Sequence, residues 1–280
     1  MKTTRSISVV SRLCQESRWP VVLVPTMGAL HDGHAALIDH ARHLAGRGGL
    51  VVVSIFVNPT QFGPAEDFTR YPRTLDADRK LCVEHGADVI FHPTAEAMYP
   101  SGFSAFVDES EVSARLCGAS RPGHFRGVCT VVLKLFQITQ PDSAVFGLKD
   151  FQQCAVIRRM VRDLNVPVRI VPVETVREPD GLALSSRNSY LSAEERAHAS
   201  VLRRALLAAS AAFVAGETSA AKLRRLLLKT IATAPLARLD YAEIADADTL
   251  RPVREVRRGT VLALAVFFGK TRLIDNLWLR

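Results

Sequence analysis

The chain has 280 residues, 48% of them hydrophobic and 23% charged, with a formal net charge of +8. That composition excludes a disordered or fibrous chain and provides for one large core or two smaller ones without covalent staples. Aromatic residues make up only 7% and the basic residues are dispersed, which argues against a nucleic-acid binder with a basic stripe and stacking rings.

The densest basic clusters, Arg158–Arg162, Lys222–Arg225 and Arg254–Arg258, carry apolar residues at helix or strand spacing. They read as solvated faces of amphipathic elements. The five cysteines, Cys14, Cys82, Cys117, Cys129 and Cys154, form no CxxC pair, which predicts reduced thiols and a cytoplasmic location. The chain shows no charged-then-apolar signal at its start, and apolar runs such as Val261–Phe268 are too short to span a membrane.

From Val21 the pattern alternates between strand and helix. Val21–Pro25 reads as a strand, His34–Ala45 as a helix with one apolar face, and Leu50–Val57 as a strand apolar at nearly every position. Leu75–Ala87 reads as a helix closed by Gly86, followed by a strand over Asp88–Pro93. Gly127–Ile138 reads as helix, Ser143–Gly147 as strand, Asp150–Asn165 as helix and Val166–Thr175 as strand. Such alternation predicts an α/β, Rossmann-like parallel sheet with helices on both faces, whose ligands bind beyond the carboxyl ends of the strands. Beyond about Asn188 the character changes. Leu191–Gly216 reads as one helix with a Ser192/Glu195 capping box, and Glu217–Thr233 as a second. Three strands then follow, the last two joined by a turn at Gly269-Lys270. The expected organisation is a Rossmann-like domain over 1–180 and a smaller α+β domain over 181–280.

Five stretches carry polar chemistry. In TMGALHDGH (Thr26–His34) two histidines and two glycines precede a helix, so free N–H groups and the helix dipole point at the loop. This is either an anion site or an ordinary helix start. A zinc site needs a third ligand, and none stands nearby. FGLKDFQQ (Phe146–Gln153) places Lys149 at a strand end, with Asp150 and Gln153 in the next helical turn. REPDGLALSSRN (Arg177–Asn188) offers Ser185, Ser186 and the fork of Arg187 after a glycine, as an anion grip or a polar turn. VNPTQFG (Val57–Gly63) offers the neutral amides of Asn58 and Gln61, or simply an Asn-Pro turn. RPGHFRG (Arg121–Gly127) offers basic groups that guide an acid or cap a helix.

HxGH after the first strand, followed far downstream by a KMSKS-like loop (here LSSRN), resembles the nucleotidylyltransferase superfamily. PTMGALHDGH, SIFVNPTQFG, YPRT, RPGHFRGV, FGLKD and TVREPDGLALSSRN, in this order, resemble more particularly the pantoate–β-alanine ligases. The resemblance implies condensation of pantoate with β-alanine at the expense of ATP, giving AMP and pyrophosphate through pantoyl adenylate. It implies that Met27, Gly28, Ala29, Leu30, His31, Asp32, Gly33 and His34 bind the ATP phosphates, with His34 as the acid at the departing pyrophosphate. Gly147, Leu148, Lys149, Asp150 and Val176 would hold ATP, and Leu184, Ser185, Ser186 and Arg187 would close over its phosphates. Gln61, Gln153 and Met27 would hold pantoate, with Gln61 shared by β-alanine. His31, His34, Lys149 and Arg187 would act in catalysis, with Mg²⁺ as an accompanying ion and a homodimer as the assembly.

Two departures stand out. Family members often carry neighbouring acids after YPRT that are linked to Mg²⁺, whereas here the run is LDAD, leaving Asp78 as the candidate ligand. Leu184 stands where Met is frequent, a volume-conserving change. The competing readings are another adenylyltransferase, against which the Gln61 and Gln153 amides argue, a truncated aminoacyl-tRNA synthetase lacking tRNA-binding mass, and a nucleic-acid binder.

Overall fold

Six short runs rich in β-branched residues assemble into one parallel sheet. The structure is a computed structural model that describes residues 1–64 and 66–280. The elements in chain order are β1 (Lys2–Thr4), α1 (Ile7–Gln15), β2 (Val21–Thr26), α2 (Asp32–Ala45), β3 (Leu50–Ile55), α3 (Leu75–Glu84) and β4 (Val89–Phe91). Next come the short α4 (Ala95–Met98) and α5 (Cys117–Ser120), then α6 (His124–Thr139), β5 (Ser143–Gly147), α7 (Phe151–Asp163) and β6 (Arg169–Val173). The sheet order is β1-β4-β3-β2-β5-β6, and every pairing is parallel. The α/β expectation therefore holds.

The register explains the apolar pattern. Val22 and Val24 of β2 and Val51, Val53 and Ile55 of β3 alternate onto one face of the sheet. There they meet Leu37, Ile38, Ala41 and Ala45, which recur along α2 at three- and four-residue spacing. Pairing runs outward from β2 through β3 to β4, while β5 joins the other side of β2. The reversal makes the carboxyl ends of β2 and β5 a topological switch point, the place where such sheets bind ligands.

Contacts divide the described chain into two compact units. One comprises Met1–Ser110, Arg121–Leu148 and Val156–Glu174; the other comprises Glu111–Ser120, Lys149–Ala155 and Thr175–Arg280. The second unit contains α8 (Ala193–Ala199), α9 (Val201–Val214), α10 (Ala220–Ile231) and the strands β7 (Ala237–Asp246), β8 (Thr260–Phe268) and β9 (Thr271–Leu279). These strands form an antiparallel sheet in the order β7-β8-β9. Leu202 and Leu206 of α9 and Leu223 and Leu227 of α10 share a core with Leu262, Leu264, Val266 and Phe268 of β8. All five cysteines are buried and outside any disulfide.

Several boundaries differ from the sequence expectation. The three-residue β1 is too short to show a period, and the nine-residue α1, although amphipathic with Val10 and Cys14 buried, was not among the expected elements. Helix α2 starts at Asp32 rather than His34, because His31 serves as its N-cap. Helix α6 starts at His124 rather than Gly127. The single helix expected over 191–216 is two, α8 and α9, because the Ser200 N–H bonds the His198 carbonyl and a new helix starts after it. Serine competes for backbone bonds and so suits such breaks. The Ser192/Glu195 capping box is present, with the Glu195 N–H donating to Ser192 Oγ at 3.2 Å and the Ser192 N–H to Glu195 Oε2 at 2.8 Å.

Ile38 is fully buried between α2 and the sheet. Ile38→Ala should lower the unfolding free energy by about 2–5 kcal/mol, measured by urea titration. A loss well under about 1 kcal/mol would show that the α2 face is not part of the core as described.

Candidate active site

The loop leaving β2 is shaped by one buried carboxylate. Thr26 Oγ1 donates to the Ser54 carbonyl at 2.8 Å and accepts from the Gly28 N–H at 3.2 Å. Gly28 has φ +82°, and a Cβ there would come within 3.0 Å of both Asp78 Oδ2 and Ile55 Cγ2. Ala29 follows at φ +51°, a left-handed conformation that costs a non-glycine residue energy. Asp78 offsets that cost. Its Oδ2 accepts from the Ala29 N–H at 3.1 Å, and its Oδ1 accepts from the Leu30 N–H at 2.8 Å and Thr74 Oγ1 at 3.0 Å. Asp78 is only 2% exposed. Both oxygens of this buried carboxylate are thus committed to shaping the loop. Among the described residues, no group of three or more His, Cys, Asp or Glu could hold a metal ion.

The loop delivers the chain to α2 with two imidazoles as its cap. His31, in extended conformation, accepts the Gly33 N–H on Nδ1 at 3.1 Å, and His34 accepts the His31 N–H on its own Nδ1 at 3.3 Å. The rings lie 4.2 Å apart at 50°. This is a capping box made of histidines. An imidazole nitrogen that accepts from an N–H carries no proton, so the proton of each neutral ring sits on Nε2. Protonating Nδ1 would set two donors face to face and break the cap. The local fold thus selects the tautomer of both histidines.

Beyond β3, the Asn58 amide organises the turn Pro59–Gln61. Asn58 is buried and donates from Nδ2 to Gln61 Oε1 and to the Gly127 carbonyl, both at 3.1 Å. Its Oδ1 accepts from Tyr99 Oη at 2.8 Å and Thr60 Oγ1 at 3.0 Å. A Cβ on Gly127 would lie 2.4 Å from the Thr60 carbonyl, so only glycine lets α6 approach this turn. With its oxygen turned to Asn58, Gln61 presents its NH₂ group, which lies 3.1 Å from Met27 Sδ. Asn58 therefore orients Gln61, and its own amide is engaged internally. Arg121 and His124 of RPGHFRG buttress the same turn. His124 Nδ1 donates to the Gln61 carbonyl at 2.8 Å, and Arg121 donates to His124 Nε2 at 3.1 Å and to Glu66 Oε1 at 2.7 Å. Burial pushes the Glu66 carboxyl up, but the Arg121 hydrogen bond and charge outweigh it and hold the group below its ordinary value.

Gly147 ends β5, and it and Leu148 belong to the first unit; the second unit carries Lys149, Asp150, Gln153, Val176 and Leu184–Arg187. Lys149 and Asp150 lie in a 3₁₀ turn at Leu148–Asp150 before α7, with Lys149 Nζ 3.6 Å from Asp150 Oδ1. Of the adjacent glutamines, Gln152 is structural: it donates to the Val112 and Arg115 carbonyls and accepts from the Cys117 N–H. Gln153 is half-buried. Val176 and Leu184 are paired, the Leu184 N–H donating to the Val176 carbonyl at 3.0 Å, and Arg177 bridges Ala183. Gly181, at φ +90°, turns this hairpin. Ser185 then caps the turn Ser186–Tyr190, its Oγ accepting from the Arg187 N–H at 3.3 Å. Two residues escaped the sequence reading. Asp275 of β9 takes both Nη groups of Arg177 at 2.8 and 2.9 Å, and Asn276 Nδ2 donates to the Lys149 carbonyl at 2.9 Å. Their signal was two polar residues side by side within an apolar strand.

Asp78→Ala should destabilise the protein by about 1–3 kcal/mol for each backbone N–H left unpaired, read as a fall in unfolding free energy. A variant as stable as the parent would contradict the anchoring of Ala29 and Leu30.

A sequence model of the Pantoate-beta-alanine ligase family matches residues 1–278. The chain is 56% identical to a pantothenate synthetase of Geobacter sulfurreducens over 266 residues, covering 95% of this chain and 93% of that one. It is 49% identical to the pantothenate synthetase of Thermotoga neapolitana, covering 99% and 98%. Among solved structures it resembles pantothenate synthetase from Thermus thermophilus, with a TM-score of 0.94 and 48% identity over 100% of this chain and 99% of that one. It also resembles a Francisella tularensis pantoate-beta-alanine ligase complexed with beta-gamma ATP and beta-alanine, with a TM-score of 0.79, 32% identity, and coverage of 99% and 97%. A parallel sheet with its switch point at the histidine loop, and matches of this extent, lead to one conclusion: the chain belongs to the pantoate–β-alanine ligase family.

Proposed function

We propose that this protein joins pantoate to β-alanine, using ATP and releasing AMP and pyrophosphate, with pantoyl adenylate as the intermediate. The observation that carries this reading furthest is the histidine capping box after β2, which offers two Nε2–H donors at a helix start. In the first step a pantoate carboxylate oxygen attacks the α-phosphorus, and the bond from that phosphorus to the bridging oxygen breaks. In the second, the neutral amine of β-alanine attacks the acyl carbon, AMP leaves, and the nitrogen gives up a proton. The adenylate is already an activated acyl donor, so no Ser or Cys nucleophile is required.

Residues Met27–His34 serve the ATP phosphates. The Ala29 and Leu30 N–H groups are held by Asp78, and the Gly33, His34 and Ala35 N–H groups by His31, so the imidazoles of His31 and His34 are the side-chain donors for phosphate oxygens. With Nδ1 accepting, His34 acts on the departing pyrophosphate as a neutral hydrogen-bond donor, which needs no imidazolium. Gly147–Asp150 and Val176 hold the nucleotide, Leu184–Arg187 close over it, and Lys149 and Arg187 offset the charge of two anions that must meet. Gln61 and Gln153, with Met27, hold pantoate, and Gln61 also serves β-alanine through its NH₂ group. Mg²⁺, when bound with the nucleotide, would supply charge neutralisation at its phosphates. Nucleotide and pantoate binding is assigned to residues 1–180, of which 111–120, 149–155 and 175–180 belong to the second compact unit, and 181–280 form the C-terminal region. The enzyme works in the cytoplasm as a homodimer; cysteines held outside any disulfide agree with a reducing compartment. Among the described residues, no helix is long and apolar enough to cross a membrane.

His34→Ala and Lys149→Ala should fold normally and lose about 10²–10³ in turnover, the usual effect of removing one preorganised donor from developing charge. Near-parental kcat in either variant would remove that residue's role. The reaction class is tested by pyrophosphate exchange. Labelled pyrophosphate should enter ATP when pantoate is present and β-alanine absent, and the complete reaction should yield AMP. Stoichiometric ADP would overturn the adenylate.

A further inference from the structure

We propose that Asn276, with Asp275 beside it, is a positioning residue for Lys149; this rests on the reading of Lys149 as acting on the nucleotide. Both residues are buried in β9, at 9% and 3% exposure, within the otherwise largely apolar run TRLIDNLWL. A buried polar side chain without a partner costs stability, so its partners show what it is for. Asp275 holds the guanidinium of Arg177 through both oxygens and also accepts the Asn276 N–H at 2.8 Å. Arg177 in turn donates to the Gly181 carbonyl at 3.0 Å, which fixes the hairpin that leads into Ser185–Arg187. One residue further along β9, Asn276 Nδ2 donates to the Lys149 carbonyl at 2.9 Å. Two consecutive residues of one strand therefore tie together the hairpin before the serine-arginine turn and the backbone that carries Lys149.

A lysine ammonium rides on a flexible four-carbon stem. Its neighbour Asp150 does not clamp it, because 3.6 Å exceeds the roughly 2.7–2.9 Å of a charge-assisted hydrogen bond. Its placement depends on where its backbone is held. Asn276 holds that backbone by a neutral donor that adds no charge to the lysine's surroundings. Loss of this bond would let the ammonium move relative to Arg187, and a displacement of about 1 Å can cost about a hundredfold in rate.

The test is a double-mutant cycle between Asn276→Asp and Lys149→Ala. The aspartate keeps the shape of Asn276 and sets an oxygen against the Lys149 carbonyl. In the parent, Asn276→Asp should lower kcat by about ten- to a hundredfold while leaving the KM for pantoate unchanged. In the Lys149→Ala background the same change should cost less than about twofold. Equal fractional losses in both backgrounds, or full turnover in Asn276→Asp, would overturn the proposal. Should Asn276→Asp fail to fold, Asn276→Ala carries the same cycle, and loss of fold in both would make Asn276 a purely structural residue and overturn it as well. Parental turnover in Lys149→Ala alone would overturn the role of Lys149 itself, and the inference with it.

Discussion

The carboxylate of Asp78 is the constraint on which the histidine loop depends. Gly28 and Ala29 both have positive φ, and such a pair in sequence persists only when its surroundings over-determine it. Asp78 does so by accepting two consecutive N–H groups from inside the core. Its own position is set by Thr74 and by the start of α3. Once Ala29 and Leu30 are pinned, His31 arrives in the extended conformation of an N-cap, and α2 begins at Asp32. The packing of α2 on β2 and β3 then fixes the direction in which the helix points. Shape, cap and tautomer follow in that order from one buried charge.

The same principle recurs elsewhere: buried polar groups are spent on positioning rather than left to meet a ligand. Asn58 orients Gln61, His124 and Arg121 support the turn behind it, and Gln152 stitches Val112, Arg115 and Cys117 beside the half-buried Gln153. Asp275 pairs with Arg177 where both are largely withdrawn from water. Fully satisfied networks of this kind rigidify their surroundings, whereas removing one member leaves an uncompensated polar group. The groups proposed to meet substrate are therefore flanked by residues whose hydrogen bonds are already committed.

The sequence made local features legible. The apolar faces of β2, α2 and β3, the Ser192/Glu195 cap and the Gly269 turn each depend on residues within a few positions of one another. The motifs that carry the family resemblance were legible for the same reason. What could not be read were partnerships across the chain. Asp78 finds Ala29 across 49 positions, Asn58 finds Gly127 across 69, and Asn276 finds Lys149 across 127. No period or local propensity encodes such pairs. The acidity of Asp78 in LDAD was visible, and the backbone donors it holds were not. In RPGHFRG the basic groups were visible, while the partners of Arg121 and His124, Glu66 and the Gln61 carbonyl, lie outside the motif. The break at Ser200 was hidden by alanines and leucines that favour helix on both sides.

The central claim is that the backbone around His31 and His34 fixes both rings in the Nε2–H form. Nitrogen NMR of the ¹⁵N-histidine-labelled protein at neutral pH reads this directly, with His31→Asn and His34→Asn variants used to assign the signals. Both rings should show an unprotonated Nδ1 and a protonated Nε2. A proton on Nδ1 of either ring in the folded protein would contradict the claim, because the capping bond accepted by that ring could then not exist as described.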